Sequence, residues 1–446
     1  MNGPNSLLDA LIEEAGIKRA SLAARVNALS GGSTSYDHRS VGRWVARGER
    51  PRGRAPQLIC ETLSAALGRS IGLGDIGMAP AHSGSGTTVP LAVFVERAPS
   101  LWRSDHNERD DVREVAPATG LDAIAPVWEW ESPLDDIDVS RDGQAVVGLD
   151  HVTQLRTARG HYEEMYRRVG GLTVRPRIVS YLTMEVTPLL RGSYNHTTGQ
   201  HLHRAVGGLV AVAGICTYDS DYQGLAQRYF HQALRLAKAS GDRGFGGYVV
   251  ALLVNQALHR RDYRQAISFA EAGLRTAGSH MSPALSTDIY AMQAKAFARV
   301  NDLRQAHASM RQTEAAAERI RRVDEPPETS YVQPGLVETQ FAEALSSLGD
   351  LTAARRFADE AVAASTHPRG RVNRLATVTK IAIQSGRIDQ AVDSASAMLD
   401  QANGMESRRL FERFRQLRKN MSAYGNAAGL GDIVARIDDV LAIPLE

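Results

Sequence analysis

Apolar residues return every three or four positions along most of this chain, the period of an α-helix with one buried face. Leu7, Leu8, Leu11 and Ile12 form a first set, and Leu22, Val26 and Leu29 a second. Ser21 stands at the N-cap or first turn of that second helix. After the break 31-GGSTS-35 the pattern predicts a helix from His38 to Arg47. A fourth opens at Pro56, a residue suited to a first turn, and ends at Gly68. Residues 1–78 thus read as a small helical domain. The stretch 79-APAHSGSGTTVP-90 is small, polar and proline-flanked, which predicts a flexible linker. Periodicity assigns no element between 91 and 150. Trp102, Trp128 and Trp130 argue for partial order there, and 132-SPLDDIDVSRDGQ-144 is acidic and turn-rich. We take 79–150 as linker plus connector.

From about 151 to 446 the chain reads as continuous helix pairs that resemble one another. The segments 219-DSDYQGLAQRYFHQAL-234, 260-RRDYRQAISFAEAGL-274, 300-VNDLRQAHASMRQTEA-315, 348-LGDLTAARRFADEAV-362 and 385-SGRIDQAVDSASAML-399 share a frame. A polar turn precedes an apolar residue (Tyr222, Tyr263, Leu303, Leu351, Ile388). Three residues on comes alanine in four of the five (Ala266, Ala306, Ala354, Ala391), with Leu225 and then Ala226 in the first. A small side chain there lets paired helices approach closely, and the larger residue is expected to fill the space beside the turn. Asp221, Asp262 and Asp302 are spaced by 41 and 40 residues; the step to Asp350 is 48 because 323-VDEPPETSYVQP-334 intervenes. Such pairs resemble tetratricopeptide-type repeats, with a period longer than usual and no tryptophan-glycine signature. The fold class expected is all-α: a small domain, a linker, then a right-handed α-solenoid with a concave binding surface.

Composition narrows the function. Hydrophobic residues make up 43% of the 446, enough for a sizeable core. No run of about 18 apolar residues occurs, so no membrane association is expected. The N-terminal stretch has no signal-peptide character. Cys60 and Cys216 sit in apolar helical settings, expected as reduced core residues in a cytoplasmic protein. The nucleotide-binding, hydrolase and metalloprotease motifs are absent, as is any C-x-x-C, and the glycines of 241-GDRGFGG-247 follow no strand. An enzyme and a cofactor are therefore not expected. His196, His201 and His203 lack a nearby acidic or cysteine ligand and read as a helix entry, not a metal site. Asp135, Asp136 and Asp138 read as a solvated loop.

The net charge of +2 hides an asymmetry, because Arg39 to Arg54 holds six arginines against Glu49 alone. With only five lysines among 52 basic residues, arginine identity says little, but its clustering points to an anionic partner. In the repeats, 228-RYFHQALRLAKASGDRGFGGYVVA-251 is rich in aromatics and arginine. Repeat-core packing explains most of it; the functional reading puts Arg228, Tyr229, Arg235, Asn255 and His259 in a concave groove for a small molecule or peptide.

The N-terminal pattern resembles a helix-turn-helix domain of the lambda-repressor/Cro (XRE) class. The segment 21-SLAARVNAL-29 corresponds to the first helix of the motif. The second is 38-HRSVGRWVARGERP-51, through Ser40, Trp44, Gly48 and Pro51. Together with the repeats, and with 127-VWEW-130, 186-VTPLLRGSY-194 and 225-LAQRYFHQALRLAKASGDRGFGGYV-249, nearly the whole chain resembles actinobacterial transcriptional regulators that join this domain to a tetratricopeptide-like region. The resemblance implies double-stranded DNA as partner, with His38, Arg39, Ser40 and Arg43 at the major groove and Arg47, Arg50, Arg52 and Arg54 at phosphates. Val41 and Trp44 are expected to pack inward. It also implies a homodimer. The competing reading is a protein-interaction scaffold without sequence-specific DNA binding. One departure stands out: eight residues, Ser30 to Asp37, separate the two helices where three or four are usual.

Overall fold

The structure is a computed structural model and describes residues 5–31, 34–49, 51, 54–67, 71, 76, 78, 90–132, 138–424 and 429–442. The chain divides into two units, one of residues 1–88 with 119–123, the other of 89–118 with 124–446. Both are helical, and the described residues contain no strand, only two isolated bridges that lay Arg141 on Tyr194 and Val146 on Ser193.

The first unit holds α1 (Ser6–Glu14), α2 (Arg19–Leu29), α3 (His38–Arg47) and α4 (Ala55–Leu67). Helix α2 begins two residues before Ser21, which lies inside its first turn, and its N-cap Lys18 makes no side-chain cap bond. Leu8, Leu22, Val26, Val41, Ile59 and Leu63 are buried in a common core with Trp44, against whose ring Tyr36 stands edge-on at 4.9 Å. Asn5 fastens this core across the chain, since its amide side chain donates to Ile76 O at 2.8 Å and its backbone N–H to Val45 O at 2.7 Å. Most of the expected linker, 79–89, lies outside the described residues.

In the second unit, residues 91–131, where periodicity assigns nothing, carry α5 (Leu91–His106), α6 (Asp110–Arg113) and α7 (Gly120–Glu131, whose first turn belongs to the other unit). Their anchors explain why the pattern is silent: aromatic and charged side chains buried against distant helices replace a regular apolar stripe. Trp102 is fully buried and its indole N–H donates to Gln232 Oε1 at 2.8 Å. Trp130 lies over Gly246, where a Cβ would stand 2.6 Å from Cζ2 of the indole. Of the glycines of 241–247, Gly241 makes a left-handed helix end at φ +74° and Gly246 leaves room for that ring, while Gly244 and Gly247 pack against His280 and against Ala277 and Met281. Trp128, by contrast, is half exposed.

Then come α8 (Leu149–Val169), α9 (Gly171–Tyr181), a π turn over Leu182–Val186, and α10 (Thr187–Leu190). The hairpins follow in pairs: α11 (His196–Asp219) with α12 (Gln223–Ser240), α13 (Arg243–His259) with α14 (Tyr263–Ala277), α15 (Pro283–Arg299) with α16 (Leu303–Ala317). Next are α17 (Leu336–Leu348) with α18 (Leu351–Ala363), α19 (Pro368–Gln384) with α20 (Ile388–Gln401), and α21 (Arg408–Ser422) with α22 (Leu430–Ala442). The shared frame is a hairpin turn followed by a helix that is side-chain-capped in three of the five segments. Asp262, Asp302 and Asp350 are N-caps, their carboxylates accepting from the N–H of Gln265, Gln305 and Ala353 at 3.2, 3.0 and 3.0 Å. Ala266, Ala306, Ala354 and Ala391 are fully buried where the helices of a pair meet. The larger residue of the frame does less than expected, for Leu303 remains half exposed beside its turn.

Odd-numbered helices from α11 to α21 touch in succession and form an inner row, with the even-numbered ones outside. The inner row does not stay open. Glu406, in the turn before α21, receives a bond from Leu172 N–H (3.3 Å) and donates to Val169 O (2.8 Å), while Thr173 donates to its carboxylate at 2.7 Å. Asp219 at the end of α11 pairs with Arg369 of α19 and accepts from Ser407 Oγ at 2.8 Å. The array curls until its last helices meet α8, α9 and α11, so the expected concave surface narrows to a half-open cavity.

Candidate functional site

Two places gather chemistry-bearing side chains, one in each unit. In the first, α3 divides into two faces. Ser40, Val41, Trp44 and Val45 are buried, whereas His38, Arg39, Arg43, Ala46 and Arg47 are exposed. Gly42 lies one turn from His38 and Arg39 with nothing within 4 Å of where a Cβ would stand, so the edge of the exposed face is bare beside them. Asp37 caps the helix: its carboxylate accepts from Ser40 N–H and Ser40 Oγ, both at 2.8 Å, and these bonds hold its pKa below the usual range. Gly48 closes the other end at φ +60°, the left-handed conformation glycine adopts without strain.

The described part of the long connection before α3 is tied to α2. Asn27 on α2 donates to Tyr36 O at 2.8 Å, and its Oδ1 accepts from Tyr36 N–H at 2.8 Å and from Thr34 Oγ1 at 3.2 Å. Ser30 Oγ accepts from Thr34 Oγ1 at 2.9 Å. A two-sided amide clamp therefore sets where α3 begins relative to α2.

Of the eight residues expected at DNA, His38, Arg39, Arg43, Arg47 and Arg54 are exposed. Ser40 is not on that face: it is buried and both functions of its hydroxyl serve the capping box, which makes it a positioning residue. Arg50 and Arg52 lie outside the described residues. Arg43 pairs with Glu49 at 3.2 Å, but both side chains are about half exposed, and such surface pairs contribute at most about 1 kcal/mol. The guanidinium is thus available to a stronger anion.

The cavity of about 300 Å³ lies inside the curl of the second unit and draws its walls from α8, α11, α13, α15, α17, α19 and α21, with Phe230 of α12 behind. Six cationic side chains face three carboxylates in its lining. Four of the six have acidic partners: Arg167 with Glu163, Lys295 and Arg413 both with Glu343, and Arg369 with Asp219. Burial pushes the Glu343 carboxyl up, but Lys295 and Arg413 more than reverse this and hold it well below the carboxylate range. Arg374 donates instead to carbonyls, those of Ala361 (2.9 Å) and Ala364 (2.7 Å) among them. Among the described residues Arg409 forms no ion pair, and it lies over the Tyr218 ring at 3.8 Å. Asp288, deeply buried under the Tyr331 hydroxyl, is pushed up to about 6 by desolvation. His367 is pushed down to about 4 by burial, then by Arg167 and Arg369, and caps α19 through Nδ1 as a neutral ring.

Of the five residues expected in a groove, Asn255 alone lines this cavity. His259 stands behind the wall, edge-on to Tyr218 at 5.4 Å, and is pushed down to about 3 by burial and by Arg409. Arg228, Tyr229 and Arg235 sit on α12 of the outer row. Arg228 is exposed, Tyr229 is fully buried and donates to Asp105 Oδ2 at 2.8 Å, and Arg235 lies over Phe94 and 3.7 Å from Glu129. Helix α12 is buried on nearly all sides, with Gln227, Arg235 and Lys238 covered along with its apolar residues, so its pattern does not announce which side meets the cavity. The signal that finds the site is different: Lys295, Glu343, Arg369 and Arg413 interrupt the apolar faces of first helices in successive pairs.

Elsewhere the described residues offer no group of three or more histidine, cysteine or acidic side chains placed to hold a metal. His196 Nδ1 accepts from Val139 N–H at 3.3 Å, and His203 is buried against Tyr194. Asp138 accepts from Ser140; Asp135 and Asp136 lie outside the described residues. Cys60 and Cys216 are buried thiols that are not joined in a disulfide. No described helix is long and apolar enough to cross a membrane.

Compared with known proteins, residues 8–79 are similar to the family described as the SP15 N-terminal domain, a match that spans the four helices of the first unit. No curated protein matches the chain.

Proposed function

We propose that the protein is a DNA-binding transcriptional regulator, its first unit a helix-turn-helix domain of the XRE class and its second a tetratricopeptide-like array that senses a ligand or partner. The observation that carries this reading is the exposed face of α3: it carries His38, Arg39, Arg43 and Arg47 beside a bare Gly42, on a helix whose other face is anchored by Trp44 and Val41. An arginine-bearing helix face suits the floor of a major groove, where guanidinium groups pair with guanine O6 and N7. Arg54, exposed just before α4, suits the phosphate backbone. Regulators of this class act as dimers on half-sites about one helical turn apart, and we extend that to this cytoplasmic chain.

The test is a salt titration of the full chain on duplex DNA. The reading expects log affinity to fall linearly with log salt, with a slope reduced by about one for each phosphate contact removed by Arg47→Ala or Arg54→Ala. Arg43→Ala is expected to cost about 1–3 kcal/mol of discrimination between operator and random sequence. Binding that is absent at low salt sinks the reading and leaves the scaffold alternative standing.

A further inference from the structure

The cavity in the second unit holds more cation than its carboxylates balance, and two of its guanidinium groups keep unsatisfied donors. Arg369 is nine-tenths buried and bound on one side to Asp219 and Ser407 Oγ, yet its Nη1 has no hydrogen-bond partner. Arg409, which forms no ion pair among the described residues, also leaves a buried Nε without a partner. A buried donor left unmade is destabilising, so its persistence at a cavity wall points to a group that arrives from outside. The two guanidiniums stack on neighbouring rings, Arg369 over Tyr166 at 4.9 Å and Arg409 over Tyr218 at 3.8 Å. Stacking holds each fork in one plane, which suits a planar or tetrahedral oxyanion accepting from both. Apolar wall is supplied by Val212, Ile215, Tyr248 and Leu252. The curl closed by Glu406 limits the space to about 300 Å³, the small end of ligand pockets and too small for a folded partner.

We propose that this cavity binds a small organic anion, a carboxylate or phosphate monoester carrying one flat apolar group, with Arg369 and Arg409 on the anion and the tyrosine-lined wall on the apolar part. The inference rests on the ligand-sensing half of the proposed function and names its chemistry. Because Arg369 also holds α19 to α11 through Asp219, an anion drawing on its free Nη1 meets the contact that closes the curl.

The full chain, without DNA, is titrated calorimetrically with phenyl phosphate, benzoate, inorganic phosphate and benzyl alcohol. At least one aromatic anion is expected to bind saturably at one site, with benzyl alcohol and inorganic phosphate weaker by about tenfold or more. Phenyl phosphate ahead of benzoate assigns a phosphate monoester, and the reverse order a carboxylate. Arg409→Gln is expected to weaken binding about tenfold or more, Arg409→Lys less, and Arg356→Gln, on the exposed surface of α18, not at all. Asn255→Asp, at an exposed lining position, adds a like charge without disturbing the core and is expected to weaken the anion similarly, which covers the case in which Arg409→Gln does not fold. No saturable binding of either aromatic anion up to about 10 mM overturns the proposal. So does affinity unchanged in both Arg409→Gln and Asn255→Asp, or inorganic phosphate binding as tightly as phenyl phosphate. DNA binding measured in parallel separates the two readings: loss of one response with the other intact condemns only the reading it tests.

Discussion

Asp219 is the residue on which closure of the second unit converges, and its removal tests that account quantitatively. Its carboxylate is fully buried at the end of α11, where Oδ2 accepts from Gly171 N–H at 2.7 Å and Oδ1 from Arg369 and from Ser407 Oγ at 2.8 Å. These bonds join α9, α19 and the turn before α21 to one point. Asp219→Ala leaves the Arg369 guanidinium buried without its counter-charge, and breaking a buried pair from one side costs about 3–5 kcal/mol. The two further donors, Gly171 N–H and Ser407 Oγ, reach water more easily once the carboxylate is gone, so we expect a loss near the middle of that range. Urea denaturation of the full chain, followed through Trp102 and Trp130 of the second unit, measures it as a shift in midpoint at constant slope. The double variant Asp219→Ala/Arg369→Met removes both charges and is expected to recover about half the loss, since the orphaned cation is the larger part of the cost. A single-variant loss below about 1 kcal/mol, or a double variant no more stable than the single, refutes the claim that this pair closes the array.

Three further outcomes follow from other contacts. Asn27→Ala removes the clamp on the connection before α3 and is expected to destabilise the first unit by about 2 kcal/mol and to speed amide exchange at Tyr36; Asn27→Asp, which keeps the acceptor and loses the donor, falls between. Gly246→Ala drives a methyl group into the Trp130 indole and is expected to cost about 1–3 kcal/mol, read from the thermal midpoint, with the accompanying Trp130→Phe relieving part of it. His231 is pushed down to about 4 by burial alone, against 6.5 when unfolded, so its contribution is complete above pH 6.5 and lost as the pH falls toward 4. His231→Gln is expected to remove about 2–3 kcal/mol of the stability difference between pH 7 and pH 4.5, compared by urea midpoints at the two pH values.

How much of this molecule could be read from its residues depends on the range of the interaction. The helix His38–Arg47 lies where its pattern puts it, because an Asp37 N-cap and a Gly48 left-handed end are local devices written within a dozen residues. The buried alanines of the repeats were legible for the same reason, since Ala266, Ala306 and Ala354 each follow a capping aspartate by four residues. Sequence alone thus determined the all-helical class, the repeat frame, and the inward turn of Val41 and Trp44. The tertiary structure decided the rest. It decided that Ser40 serves the cap, that α12 belongs to the outer row, and that Tyr229 turns to Asp105 rather than to a groove. It also brought Asp219 to Arg369 across 150 residues and shaped a cavity in which Arg369 Nη1 and Arg409 Nε keep no partner, which the charges interrupting successive apolar faces signal only as a place and not as an arrangement. A helical period records which residues are buried, not which neighbour buries them, and a charge that interrupts an apolar face does not name the distant partner that pairs with it.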